Sequence, residues 1–135
     1  MSPDARLMSG LSLILIPTIV YGGLTVLGVV SNRMLGAPGP TNLTATQIAF
    51  YRAGHAHAGV LTLLAVLLQI ILDYAQLSPE LVWWLRVGAI AGSILVSGGF
   101  FAVAHVRALR FVLYTGALVV ATTTLMAGIG LIRSR

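Results

Sequence analysis

The positions of eleven charges along 135 residues constrain this chain more than any other feature. Leu7 to Asn32 is a run of 26 residues without a charge, Ala53 to Leu72 one of 20, Val87 to Val106 one of 20, and Phe111 to Ile132 one of 22. A helix needs about 20 apolar residues to cross the hydrocarbon core of a bilayer. Each interval is bounded by Arg or Asp, the residues expected at a membrane interface, so the spacing predicts four transmembrane helices. A barrel strand would instead alternate apolar and polar residues over about 10 positions, and these runs are uninterrupted. Composition agrees, because 58% of the residues are hydrophobic and only 8% charged, against roughly 25% charged in a soluble domain. The expected fold is all-α: one four-helix transmembrane domain over residues 1–135, with spans at about 9–31, 47–73, 82–105 and 110–132. Such a chain is a multi-pass protein, here expected in the cell membrane and in contact with its lipid. An even number of spans puts both termini on the same side.

The chain has no Cys, which excludes disulfides, thiolate ligands and thiol nucleophiles. Its first span is too long for a signal-peptide core and has no clear small-x-small cleavage site, so it is expected to be a transmembrane helix. Pro17 predicts a kink there, Gly22 and Gly23 predict close approach of another helix, and Tyr21 is expected to turn its hydroxyl into the bundle. A long loop follows from Ser31 to Thr44, containing Gly36, Pro38, Gly39 and Pro40. Asn42-Leu43-Thr44 matches a glycosylation pattern, whereas Thr44 with Gln47 fits a capping box that opens the second helix. The second loop, Gln76 to Leu81, holds Pro79 and Glu80 and leads to Trp83 and Trp84 as interfacial anchors. The third connection, Val106 to Arg110, is short enough to make helices three and four an antiparallel hairpin. Gly88 and Gly92, followed by Ser93, Ser97, Gly98 and Gly99, build the third helix for tight contact.

The basic residues divide evenly. Arg6, Arg86, Arg133 and Arg135 fall on the terminal side, and Arg33, Arg52, Arg107 and Arg110 on the other, so the positive-inside count does not set orientation. Asp4, Asp73 and Glu80 all fall on the terminal side, where Asp73 reads as an interfacial cap. The net charge of +5 does not imply nucleic acid, because the Arg residues are scattered at helix ends without a basic run and interleaved aromatics.

All three histidines lie at the acid-free end. His55, His57 and His105 gather there with Arg52, Arg107 and Arg110, and with Tyr51 and Tyr114 at similar depth. Ionisable groups in a membrane are costly, which makes this end the candidate site. Residues two apart on a helix point about 200° apart, so His55 and His57 face different surroundings. The His55 stripe continues through Thr62 and Gln69 and is expected to face the bundle interior. The His57 stripe, through Gly54, Leu61, Leu64 and Leu68, is apolar and suits lipid or a bulky hydrophobic cofactor held between subunits. Haem is such a cofactor. A neutral imidazole supplies its axial bond, an apolar slot takes the macrocycle, and Arg52, Arg107 and Arg110 are available to its propionates. Two other readings stand beside it. His55 and His105, with His57 from a neighbouring subunit, could hold zinc, copper or non-haem iron for binding or transport, or the Arg and His end could form an anion or proton pathway.

The segment Arg52-Ala53-Gly54-His55-Ala56-His57-Ala58-Gly59, together with Gly92-Ser93-Ile94-Leu95-Val96 followed by Gly99 and Phe100, resembles styrene oxide isomerase. The resemblance implies a small four-helix membrane protein that assembles as a homotrimer and binds haem b at subunit interfaces. In that family an Arg-Ala-His-small-Gly stretch carries the axial histidine. Aligning the small residue and the Gly assigns the ligand to His57, with Ala58 and Gly59 behind it, and leaves His55 as a supporting residue; aligning Arg-Ala would favour His55. The implied activity is isomerisation of a small apolar epoxide, an intramolecular oxidoreductase reaction, with His105 and Tyr114 as acid–base or orienting candidates. Two positions differ: His105 and Val106 stand where the family has a catalytic Tyr, and about Leu63 stands where it has an Asn.

Overall fold

The computed structural model describes residues 1–34 and 43–134 and contains four long helices. They are α1 (Pro3–Met34), α2 (Ala45–Ile71), α3 (Pro79–His105) and α4 (Arg110–Ile132), with a single 3-10 turn at Arg107–Leu109 before α4. All four are long and apolar enough to cross a membrane, and no strand occurs among the described residues. The chain is an all-α, four-helix, multi-pass membrane protein. The sequon Asn42, the Gly and Pro residues of the first loop, and Arg135 lie outside the described residues.

Local chemistry sets the helix ends. The Thr44 hydroxyl accepts from the Gln47 amide at 3.2 Å, and the Thr44 amide donates to Gln47 Oε1 at 2.9 Å, so the capping box forms as the sequence predicts. Pro79 and Glu80 belong to α3 rather than to the loop before it. Ser78 caps that helix by accepting from the Leu81 amide, Pro79 occupies the first turn, where its missing N–H is not needed, and Glu80 complements the helix dipole. At the far end Val106 is extended and breaks the helix, and the 3-10 turn reverses the chain into α4.

Each helix packs against its neighbours in sequence, whereas α1 and α4 do not meet among the described residues. Glycines hold α3 against α4. A Cβ at Gly99 would lie 2.7 Å from Leu113 Cα, and one at Gly116 2.6 Å from the Val96 backbone nitrogen. Gly88 and Gly92 face Thr123 and Val120 in the same interface. Lipid is as apolar as leucine, so this close approach stabilises through dispersion contacts rather than through hydrophobic burial. The buried cluster of Ala65, Leu68, Leu72, Leu85, Ala89 and Ala127 lies toward the terminal end. Leu68 is therefore core, so the His57 stripe opens outward only at its histidine end. Tyr21 corrects another expectation. It is 74% exposed and points away from the bundle.

The terminal end is tied by a polar knot. Arg86, only 2% exposed, donates from Nη2 to Asp73 Oδ1 at 2.6 Å and from Nη1 to the Gln69 carbonyl at 2.6 Å. Ser2 donates its amide and its hydroxyl to the two Asp73 oxygens, each at 2.7 Å. Asp73 is thus a tertiary tie joining α1, α2 and α3 rather than a helix cap. The Gln76 amide donates to the Gly130 carbonyl at 3.0 Å and brings the end of α4 to the same place, so both termini lie at one end of the bundle.

Candidate functional site

The two histidines of α2 separate as helical geometry requires. His55 turns toward α1, where a Cβ on Gly23 would lie 2.6 Å from its ring. It lines an apolar groove of about 670 Å³ between α1 and α2, with Gly59, Leu63 and Leu27 among its walls. Gly23 thus admits a neighbouring side chain, while Gly22 opens on empty space. His57 turns to the other side of α2. Its ring lies 4.8 Å, centroid to centroid, from Phe100 of α3. Gly54 makes this possible, because a Cβ there would meet Phe100 and Phe101 at 3.0–3.1 Å.

One hydrogen bond orients the ring of His57. Its Nδ1 lies 2.7 Å from the Ala53 carbonyl, which can only accept, so Nδ1 carries the proton. In a neutral ring held this way the lone pair lies on Nε2. This is the arrangement used by metal-ligating histidines, in which a backbone carbonyl orients the ring and raises its basicity. His57 lines a second apolar groove, of about 410 Å³, with Leu61, Val96, Phe100, Leu113 and Tyr114. Arg110 lies one turn before Tyr114 on α4 and is exposed, which puts a cation on the helical stripe that enters this groove.

The remaining candidates form other groups. The Tyr51 hydroxyl and His105 Nε2 share a hydrogen bond at 2.6 Å, with the Phe101 ring 5.5 Å from that of Tyr51. His105 is therefore paired with Tyr51, while Tyr114 shares the groove of His57. Gly59, read as a neighbour of His57, lines the His55 groove instead. Arg52 and Arg107 are exposed at the same end of the bundle. Among the described residues no three His, Asp or Glu side chains are grouped to hold one ion. An ion on a single histidine would complete its coordination from backbone, solvent or another copy.

Sequence reasoning missed Phe100 as the partner of His57 and Tyr51 as the partner of His105. Helical spacing carries a partial signal for the first, since Gly54 lies one turn before the histidine and marks a close crossing. Compared with protein-family models, curated proteins and solved structures, the chain matches none of them.

Proposed function

We propose that this chain is a haem b-binding protein of the cell membrane, working as an oligomer, with His57 as the axial ligand. The observation that carries the reading is the His57 ring, held by its Nδ1 against the Ala53 carbonyl, in an apolar groove. Phe100 gives the groove a flat aromatic wall, and Arg110, one turn before Tyr114, would be the cation available to a propionate. The groove is lined on one side by α2, α3 and α4, and a neighbouring copy would close it. The resemblance to styrene oxide isomerase supports a trimer. When bound, ferric haem would supply a Lewis acid for the oxygen of a small apolar epoxide. Tyr114 would orient that oxygen by a hydrogen bond from within the groove. The Tyr51 and His105 pair could hold or release a proton at the same end of the bundle.

An absorption spectrum tests this reading. Protein purified in detergent from haem-replete cells should show a Soret band, which His57→Ala removes and His55→Ala retains. Haem-free wild-type protein would overturn it, and stoichiometric zinc, copper or iron without a porphyrin spectrum would favour a histidine-ligated metal protein.

A further inference from the structure

The apolar groove that holds His55, between α1 and α2, is separate from the one at His57. Along α1 it runs from Ile16 to Leu27, a rise of about 16 Å. That is close to half of the ~30 Å hydrocarbon core, the depth of one lipid leaflet. Its volume of about 670 Å³ falls within the range of small-molecule sites. Leu24, Val60 and Leu63 among its walls are exposed, so the groove is open sideways to the bilayer. Gly59 also lines it, and a Cβ there would meet nothing within 4 Å.

Polar chemistry enters this groove only at the histidine end. His55 is the one polar side chain among its lining residues. The ring is half-buried, neither of its nitrogens is sealed from the surface, and it has no hydrogen-bond partner among the described residues. A neutral imidazole always carries one N–H, so His55 can donate to a ligand oxygen. At about 100° per residue, His55, Ala56, Gly59, Val60 and Leu63 cover an arc of about 140° on α2. Arg52 falls near the middle of that arc, about 4.5 Å further toward the helix start. It is exposed, and no acidic group pairs with it among the described residues. Asp4, Asp73 and Glu80 all belong to the opposite end of the bundle, so an anion beside Arg52 meets no like charge. An apolar groove one leaflet deep, headed by an N–H donor and an unpaired cation, complements a single hydrocarbon chain that ends in a carboxylate. A neutral alcohol of the same length would forgo the attraction of Arg52.

We propose that this groove binds a long-chain fatty acid taken up from the bilayer, with its chain along α1 and its carboxylate held by His55 and Arg52. The test uses the full chain in phosphatidylcholine vesicles, photolabelled with palmitic acid carrying a mid-chain diazirine and mapped by mass spectrometry. Saturable adducts are expected within residues 16–27 or 56–63, competed by palmitate and much less by hexadecanol or palmitoyl lysophosphatidylcholine. Gly59→Leu puts a side chain into the open groove and should abolish saturable labelling, whereas Gly128→Leu, with equally open space on α4, should not. Arg52→Gln should weaken half-saturation about threefold, with circular dichroism confirming that each variant folds. Equal competition by hexadecanol or by the lysolipid would overturn the proposal, as would labelling that Gly59→Leu or Arg52→Gln leaves unchanged. Absence of saturable adducts would also overturn it, and is the result expected if a second copy covers the groove. His57→Ala should label as the wild type does, so a missing Soret band and a failure here are distinguishable.

Discussion

Arg86 is the residue on which the terminal end depends. Its guanidinium is withdrawn from solvent and spends its donors on Asp73, on the Gln69 carbonyl and side chain, and on the Ser2 hydroxyl. Removing one partner of a buried pair leaves the other charge uncompensated, which typically costs about 3–5 kcal/mol. Arg86→Ala should therefore lower the melting temperature in detergent far more than Arg133→Ala at the exposed end of α4, as read by circular dichroism. Asp73, just beyond the end of α2, adds a pH dependence. Burial pushes its carboxyl pKa up, but hydrogen bonds from Ser2 and Arg86 and the Arg86 charge outweigh this and hold it below the ordinary value. A depressed folded-state pKa contributes stability that is complete above the unfolded value of about 3.9 and is lost as pH falls through the folded pKa. Melting at pH 7 and at pH 3 should differ in the wild type, and Asp73→Asn should shrink that difference; an unchanged difference would remove Asp73 from the account.

At the scale of elements, the α3–α4 hairpin is held by glycines whose missing side chains are occupied by the opposite backbone. Gly99→Ala or Gly116→Ala would put a methyl group within 2.6–2.7 Å of main-chain atoms, so the helices must separate. Overpacking of this kind costs about 1–3 kcal/mol. Gly98 and Gly128 meet nothing within 4 Å, and alanine there should be neutral or stabilising by up to about 1 kcal/mol through its better helix propensity. Unfolding in detergent mixtures should rank the four variants in two groups. If all four behave alike, close backbone approach is not what holds the hairpin.

For the whole molecule, the sequential packing of helices leaves α1 attached mainly through α2 and the terminal knot. Both histidine grooves therefore open on outer faces of the bundle, where another copy could complete them. The same topology puts Ser78 and Ser134 at one end and Ala108 at the other. Since the chain has no Cys, single-cysteine variants at these three positions give a clean test. A membrane-impermeant maleimide applied to sealed vesicles should reach Ser78→Cys and Ser134→Cys from one side and Ala108→Cys only from the other. Labelling of Ser78→Cys and Ala108→Cys from one side would contradict the four-span topology.

The four spans, the hairpin and the capping box at Thr44 were legible in the sequence because each depends on short-range patterns: runs without charge, a five-residue connection, a cap and its partner three residues on. Period alone also separated His55 from His57. Pairings across the bundle were not legible, because helical spacing tells which residues share a face and not which face meets which helix. Asp73 with Arg86, Tyr51 with His105, and His57 with Phe100 depend on helix rotation and crossing, which are set by where glycines let backbones touch. The sequence by itself determined a membrane protein with its histidines and uncompensated arginines at one end. Only the tertiary structure decided that these histidines enter separate grooves, because α1 packs on one face of α2 while α3 covers the other.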